Sequence, residues 1–415
     1  IIFQSFLLFD FASPFFILCS FFTLLTSAIF IYLKKQKINL NNINRIVFKF
    51  GTNVLRGEDG YISMARIYSF IEAIAKFHRM GKEILIVTSG AVGLGAKKIN
   101  AVDLSENSLK QACAAIGQSQ LMSTYEDGFS KYDIITAQIL LTEEDFSNRR
   151  RYLNLRSTLD TLLKYKVIPI INENDTVSSD EVQFLGNITQ ISFSENDKLS
   201  ALVASELDAD LLIILSDING LYDDNPKTNK NAKFIHEVFE ITKEIENLGL
   251  DASKGGRGGM KTKLQAAKIV TRCGCALFIA NGKKPDVLKD IFETKDKTIF
   301  YPVEEVDELN TKKRWIAYAT TIIGKVIVNS GAKKAILEKE SSLLPVGVME
   351  IINEFKRGDI VSIADENGEE FARGIINYNS EDAKKIIGHH SDDILKILGY
   401  KNYDAIITRD YIVIL

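Results

Sequence analysis

Short apolar segments alternate with longer amphipathic ones along most of the sequence, and this alternation limits the folds open to the chain. The apolar segments are nearly continuous runs of branched and aromatic residues, as at residues 46–50 and 83–87. Strands buried on both faces have this composition, and helices that connect parallel strands cover those faces. The sequence therefore predicts an α/β fold, a parallel-sheet αβα sandwich. Further strands are predicted at 133–141, 167–171 and 210–215, and helices at 63–80, 107–130, 148–164 and 197–207.

Polar residues follow four of these strands, at residues 49–53, 88–91, 172–175 and 216–217. Ligands of parallel α/β sheets bind beyond the carboxyl ends of the strands, where such residues meet. Glycine, serine, asparagine and aspartate also form ordinary turns. Four such strand ends on one edge favour a binding site.

A glycine-rich segment precedes one of the helical patterns. Residues 254–259 contain four glycines, and Lys261 and Lys263 follow in the first helical turn. Backbone N–H groups at such a loop and helix start can bind an anion, and an anion would offset the unfavourable position of the lysines. The spacing matches neither the Walker-A pattern nor G-x-G-x-x-G. A flexible surface loop is the alternative, and the polar strand ends favour a polyphosphate site.

The strand ends and the glycine segment contain no histidine and no cysteine placed as a nucleophile. Phosphoryl transfer to a carboxylate needs neither group, because an acid with a pKa of about 4.3 is already ionised at neutral pH. Catalysis then requires positioning and neutralisation of charge. Lysines, an aspartate and Mg²⁺ would suffice.

Composition narrows the class of protein further. A chain of 415 residues is long enough for two or three domains, and a net charge of −3 gives no overall nucleic-acid signature. The four cysteines show no CxxC pair and no metal-ligand spacing, which indicates a reducing, cytoplasmic environment.

Residues 1–40 form an apolar extension that differs from the rest. Residues 15–33 are uncharged and are followed by Lys34 and Lys35, as in a membrane or signal anchor. The chain begins with Ile, and no Met precedes Met64. An over-extended reading frame is the favoured interpretation, and a membrane anchor is the alternative.

Seven short motifs stand in order along the chain. They are residues 49–55 (KFGTNVL), 87–91 (VTSGA), 117–119 (GQS), 171–175 (INEND), 194–201 (SENDKLSA), 216–217 (SD) and 258–267 (GGMKTKLQAA). Together they resemble the glutamate 5-kinase family of the amino-acid kinase superfamily, over residues 45–398. The resemblance implies the amino-acid kinase fold and ATP- and Mg²⁺-dependent phosphorylation of the γ-carboxylate of L-glutamate, the first step of proline biosynthesis. Two departures are Ser194-Glu195, where the family has Gly-Asp, and Ser216, where it has Thr.

The resemblance also implies roles for individual residues. Lys49 and Lys263 are expected to be catalytic by holding and neutralising the phosphates, and Asp197 by holding the two lysines in place. The glutamate site is expected to comprise Ser89, Asp175 and Asn196, with Asp175 suited to the substrate ammonium. The ATP site is expected to comprise Lys49, Ser216, Asp217, Arg257, Gly258, Gly259, Met260, Lys261, Thr262 and Lys263. No side chain is assigned to a metal.

The last hundred residues have a different sequence pattern, in which short predicted strands are separated by turn residues. Residues 324–387 resemble a PUA domain, so we expect a kinase domain at 44–305 and a smaller β-rich PUA-like domain at 320–400, with a junction near 310–315. PUA-like domains elsewhere bind RNA. Residues 322–399 carry ten lysines and arginines against thirteen aspartates and glutamates, which disfavours RNA here.

Other expectations rest on the family resemblance. The chain is expected to form a homo-oligomer, to pass glutamyl phosphate to its reductase and to respond to proline as a feedback inhibitor. A sibling kinase acting on acetylglutamate or aspartate is the near alternative, and residues 172–175 and the C-terminal domain argue against it. Residues 182–191 are apolar enough for a short strand or a flap over the site.

Overall fold

The computed structural model describes residues 38–58, 61–101, 103–177, 196–226, 228–249, 259–284, 286–303, 313, 316–317 and 322–415. The chain divides into two compact units, Ile1–Asn44 and Arg45–Leu415. Residues 38–44 of the first unit contain the 3-10 turn Leu40–Asn42, which is capped by the side chain of Asn39. The expected apolar stretch at 15–33 and the expected strand or flap at 182–191 lie outside the described residues. No helix within the described part is long and apolar enough to cross a membrane.

Fifteen strands lie in the described part of the second unit. They are β1 (Arg45–Phe50), β2 (Glu83–Val87), β3 (Thr136–Leu141), β4 (Ile168–Glu173), β5 (Leu211–Ser216), β6 (Leu221–Tyr222), β7 (Phe234–Ile235), β8 (Glu237–Val238), β9 (Ala276–Asn281), β10 (Lys297–Phe300), β11 (Gly324–Val328), β12 (Val348–Ile352), β13 (Ile360–Ala364), β14 (Glu370–Ile375) and β15 (Ile412–Ile414). Eight of them form one sheet in the order β3-β4-β2-β1-β5-β9-β10-β8. Its pairs are parallel except for β9 with β10.

The α-helices of the described residues are α1 (Thr52–Leu55), α2 (Met64–Arg79), α3 (Ala91–Lys98), α4 (Asn107–Ser130), α5 (Glu143–Ser147), α6 (Arg149–Lys164), α7 (Asn196–Glu206), α8 (Lys243–Asn247), α9 (Met260–Thr271), α10 (Ser330–Lys339), α11 (Ser380–Ile386) and α12 (Ile394–Leu398). Helices cover both faces of the large sheet. On β1, the Phe50 ring stacks on Phe70 of α2 at 4.9 Å between centroids. Val47 points to the other face and packs in the cluster that contains Leu202 of α7 and Leu264 of α9. The predicted αβα sandwich is confirmed.

One predicted strand is shorter in the structure, and helix α3 was not predicted. The strand expected at 133–141 begins only at Thr136, because Asp133 takes a left-handed conformation (φ 57°) in the turn after α4. The sequence pattern did not predict α3, whose two glycines lower its helix propensity. Packing stabilises this helix instead, since α3 crosses α4 at very short distance.

The crossing of α3 and α4 depends on two glycines. A Cβ on Gly95 would lie 1.8 Å from the Cys113 carbonyl oxygen, and one on Gly117 would lie 1.8 Å from that of Ala91. Backbone would have to move to admit either methyl group. The close approach fixes the start of α3, which lines the cavity described below.

Replacing Gly95 with alanine should therefore destabilise the protein by at least about 1–3 kcal/mol, the usual cost of overpacking a core. Gly93→Ala on the same helix is the matched control, because nothing lies within 4 Å of its added Cβ. There we expect a gain of about 0.5–1 kcal/mol from the lower entropy of the unfolded chain. Urea unfolding measures both values. Equal stability of the two variants would show that the crossing tolerates a wider separation.

The C-terminal part forms a separate five-stranded sheet in the order β12-β11-β13-β14-β15. Its buried core includes Val326, Ile363 and Ile406. A small apolar cluster lies between this sheet and α6: Tyr152 is 1% exposed and packs with residues that include Ile360 and Val413. The Tyr152 hydroxyl also donates to the carboxylate of Glu206 at the end of α7. The boundary between the two sheets is thus occupied by buried side chains.

Candidate active site

Two lysines from distant parts of the chain share one buried carboxylate. Lys49 comes from β1, Asp197 from the first turn of α7 and Lys263 from the first turns of α9. Lys49 Nζ lies 2.5 Å from Asp197 Oδ1, and Lys263 Nζ lies 3.0 Å from Asp197 Oδ2. The side chains are 9%, 1% and 4% exposed in chain order. The three residues predicted to be catalytic therefore form one buried cluster.

Asp197 remains ionised in this cluster. Burial on its own would raise the pKa of Asp197, but the charges and hydrogen bonds of Lys49 and Lys263 outweigh burial and hold the pKa well below its ordinary range. Within the cluster two ammonium groups face one carboxylate, and Glu173, Asp175 and Asp217 add carboxylates elsewhere in the cavity wall. Such a cluster suits a polyphosphate more than any neutral ligand.

Thr262 adds a further contact to the same carboxylate. Its hydroxyl oxygen lies 2.9 Å from Asp197 Oδ2 and 2.8 Å from the carbonyl oxygen of Gly259. Both partners are acceptors, so the single hydroxyl proton is shared between them. Thr262 was predicted to bind ATP, and the structure places its hydroxyl against Asp197.

The helix predicted to follow the glycine segment is present as α9, and Gly259 is the part of that segment that the structure describes. Gly259 is the N-cap and supplies no side-chain hydrogen bond, and the first turn contains no acidic residue. Lys261 is exposed, while Met260 is buried. Backbone donors and cationic side chains thus meet at a helix end, as an anion site requires.

Asn196 organises the opposite end of the site. Its Nδ2 donates to the Thr88 carbonyl oxygen at 2.8 Å and to Ser89 Oγ at 2.7 Å. Gly90 follows with φ 107°, a left-handed conformation that favours glycine, and α3 begins directly after it. The turn after β2 therefore directs the first N–H groups of α3 toward the same space as Asn196.

One cavity of about 280 Å³ joins these groups. Among the predicted site residues, its wall includes Lys49, Ser89, Asp175, Asn196, Asp197, Ser216, Asp217 and Lys263. The carboxyl ends of β1, β4 and β5 and the turn after β2 meet there, as the strand pattern predicted. Arg257 and Gly258, also predicted for the ATP site, lie outside the described residues.

The cavity wall also contains residues to which the sequence analysis gave no individual role. Gly51, Thr52, Asn53, Gly90, Ala91, Asn172 and Glu173 belong to the predicted strand ends, and Val54, Val92 and Gly93 lie outside them. Asn53 donates to the carboxylate of Asp217 at 3.3 Å, which links α1 to the end of β5. Asn172 and Glu173 are buried although both are polar. Their motif was visible in the sequence, but their burial follows from the extension of β4 through Glu173.

The fold and this site define a class of protein. The sequence profile described as "Amino acid kinase family" matches residues 44–281, and that of the "PUA domain" matches residues 324–398. The chain belongs to the amino acid kinase family, and it carries a PUA domain. As a member of a kinase family it is an enzyme that uses ATP. The resemblance drawn from the motifs is confirmed.

Named relatives of the chain within the amino acid kinase family share one printed name. The chain is 45% identical over 374 residues to "Glutamate 5-kinase" of Thermoanaerobacter sp. (strain X514), covering 89% of this chain and 98% of that protein. It is 42% identical over 380 residues to "Glutamate 5-kinase" of Dictyoglomus thermophilum (strain ATCC 35947 / DSM 3960 / H-6-12), covering 91% and 99%. Among solved structures, carbamate kinase from Giardia lamblia bound to AMP-PNP matches with a TM-score of 0.45 and 15% identity, covering 63% of this chain and 99% of that one.

Proposed function

We propose that the chain transfers the γ-phosphoryl group of ATP to the γ-carboxylate of L-glutamate, the first step of proline biosynthesis. The single observation that carries the proposal is the buried Lys49–Asp197–Lys263 cluster in a cavity that also contains Asp175 and Asn196. The relatives named glutamate 5-kinase support the choice of substrate.

In the proposed reaction, a γ-carboxylate oxygen of glutamate attacks the γ-phosphorus of ATP. The new P–O bond forms as the bond to ADP breaks, so the products are an acyl phosphate and ADP. No protein group needs to remove a proton, because the attacking carboxylate is already ionised. Lys49 and Lys263 neutralise charge on the transferring group, and Asp197 keeps both ammonium groups in position.

Mg²⁺ is part of this proposal. When bound, it would neutralise phosphate charge. It usually keeps several waters and binds through substrate phosphates with one or two carboxylates. The donor set of the cavity fits this chemistry, since Asp217 lies in the wall and presents a carboxylate. The nucleotide is assigned to the end of the cavity formed by Ser216, Asp217 and Lys263 of α9.

Glutamate is assigned to the end formed by Ser89, Asp175 and Asn196. The carboxylate of Asp175 suits the substrate ammonium, and the start of α3 offers backbone N–H donors to a substrate carboxylate. N-acetylglutamate has no ammonium group. The free amino acid is therefore the proposed substrate over its acetylated form.

An assay that traps the product with hydroxylamine tests the proposal. Purified protein with ATP, Mg²⁺ and L-glutamate should yield glutamyl hydroxamate, and N-acetylglutamate should yield far less. Preference for N-acetylglutamate or aspartate would assign the chain to a sibling activity. Absence of hydroxamate from folded protein that binds ATP would refute the proposal.

Replacing Asp175 with asparagine should raise KM for glutamate by about 10- to 100-fold, since a hydrogen bond to a charged group contributes about 1.5–3 kcal/mol. KM for ATP should change little. Asp133→Asn is the control, because Asp133 is exposed and asparagine tolerates its left-handed conformation. Initial-rate kinetics with each substrate varied in turn give both constants. Equal rises in both KM values would indicate a structural role for Asp175.

Several finer features belong to the same proposal. They are a kinase domain at residues 44–305, a PUA-like domain at 320–400, a homo-oligomer, feedback inhibition by proline, transfer of glutamyl phosphate to its reductase and a cytoplasmic location. The family resemblance supports the first five. The cysteine spacing, with no CxxC pair and no metal-ligand pattern, supports a reducing compartment. Light scattering and assays with added proline would test assembly and feedback.

A further inference from the structure

Two buried amide side chains and the half-buried amide of Asn196 form one hydrogen-bonded chain behind the proposed glutamate site. Asn172 Nδ2 donates to Gln118 Oε1 at 2.9 Å, and Asn196 Nδ2 approaches Asn172 Oδ1 at 3.3 Å. Gln118 comes from α4, Asn172 from β4 and Asn196 from the start of α7. Three separate elements thus meet through their amide groups. We refer to Gln118, Asn172 and Asn196 as the amide chain.

The direction of the amide chain is fixed by its surroundings. Asn196 Nδ2 faces three acceptors, since the Thr88 carbonyl oxygen and Ser89 Oγ also lie within 2.8 Å of it. Reversing Asn196 would place its oxygen against these oxygens. Reversing Gln118 would place its NH₂ group against that of Asn172. Asn196 therefore donates to Asn172, and Asn172 donates to Gln118. This order leaves Asn196 Oδ1 at one end of the amide chain and Gln118 Nε2 at the other.

The two ends of the amide chain have unused hydrogen-bonding capacity. Within the described residues, Asn196 Oδ1 and Gln118 Nε2 are buried and have no hydrogen-bond partner. Leaving such an atom unpaired costs about 1–3 kcal/mol. Asn196 lines the same cavity as Asp175. Its oxygen is thus an acceptor held ready for a donor, and a substrate ammonium group is such a donor.

We propose that Gln118 is a positioning residue that holds the oxygen of Asn196 toward the substrate ammonium and so selects amino acids with a free amino group. Gln118 acts through Asn172, because it lies behind Asn172 and outside the cavity wall. Without the Gln118 oxygen, the Asn172 amide loses the acceptor that orients it. Asn196 then loses one of the acceptors that fix its own orientation. The inference rests on the proposed function, since it assumes glutamate as substrate.

Gln118→Leu tests the inference, because leucine removes the acceptor for Asn172 while filling most of the volume. We expect KM for glutamate to rise about five- to tenfold, the effect of one neutral hydrogen bond. The inhibition constant of glutarate should stay within about twofold, since glutarate has both carboxylates but no ammonium group. KM for ATP should also stay unchanged. A merely structural role would shift all three constants together.

One further variant identifies the atom responsible, and a second repeats the leucine test. Gln118→Glu keeps an oxygen that accepts from Asn172 and should retain the wild-type KM for glutamate. A loss of glutamate affinity as large as in Gln118→Leu would assign the effect to Nε2 and overturn positioning through Asn172. Gln118→Met repeats the test with a more adaptable side chain in case the leucine variant does not fold. Gln120→Leu is the control, because Gln120 is exposed on the same helix.

The outcomes separate this inference from the proposed function. A wild-type protein that forms no glutamyl hydroxamate defeats the proposed function. An active wild-type protein whose Gln118→Leu variant has an unchanged KM for glutamate defeats the inference alone. Equal weakening of glutamate and glutarate would also defeat it, because the effect would not depend on the ammonium group.

Discussion

Replacing Lys263 with alanine should lower the turnover number by about 10²- to 10³-fold, and Lys49→Ala should have an effect of the same size. Both ammonium groups lie in a buried cluster. There each is held in position to stabilise the charge that develops on the transferring phosphoryl group. Removing one donor of this kind costs about 2.7–4 kcal/mol of transition-state stabilisation. The fold should persist, because Asp197 keeps the other lysine as its partner.

Rates measured by the hydroxylamine assay at saturating substrates test this expectation. Lys268→Ala is the matched control on the same helix. Its ammonium group pairs with Glu246 at 2.8 Å, and its side chain is 45% exposed, so its removal should leave turnover unchanged. A Lys263→Ala or Lys49→Ala enzyme that turns over within about fivefold of wild type would remove that lysine from the catalytic set.

Asp197→Asn should reduce both turnover and stability. An amide in place of the carboxylate removes the negative charge that both buried ammonium groups face. Removing one partner of a buried ion pair typically costs about 3–5 kcal/mol. Turnover should fall at least as far as in either lysine variant, because both lysines lose the group that positions them. Urea unfolding and the hydroxylamine assay measure the two effects on the same preparation.

The pH dependence of that stability loss has a definite sign. The pKa of Asp197 in the folded protein lies below the ordinary value of 3.8, so the unfolded chain takes up the proton first as the pH falls. The contribution of the carboxylate is therefore fully present above pH 3.8 and is lost as the pH falls toward the folded pKa. The stability difference between wild type and Asp197→Asn should stay constant from neutral pH to about pH 5 and shrink below pH 4.

Asp127→Asn provides a surface comparison for this experiment. Asp127 pairs with Lys131 at 2.7 Å, and both side chains are more than half exposed. Solvent screens such a pair, so we expect little change in stability or turnover. A comparable stability loss in Asp127→Asn and Asp197→Asn would show that the buried ion pairs of Asp197 stabilise the fold no more than an exposed pair does.

Local sequence was sufficient to predict most of the large sheet and its helices. The runs that form β1 and β2 are apolar on both faces, and this pattern has few solutions other than central parallel strands. Polar residues at the ends of β4 and β5 then had to lie on one sheet edge. The ordered motifs, from residues 49–55 to residues 258–267, were enough to indicate the family. These features depend on patterns within a few residues of one another, which a sequence displays directly.

Tertiary structure alone decided how those residues act together. The family resemblance implied that Asp197 holds Lys49 and Lys263, but no local pattern shows the contacts themselves, because the three groups meet only when β1, α7 and α9 pack. The hydrogen bonds of Gln118 and Tyr152 were hidden for the same reason: Gln118 lies in one of the motifs, but neither side chain carries a signal of its partner. Helix α3 also formed against its local propensity, because Gly95 and Gly117 allow its backbone to contact α4. Contacts between distant segments determine charge sharing, amide orientation and close helix crossings, and these fix the chemistry of the site.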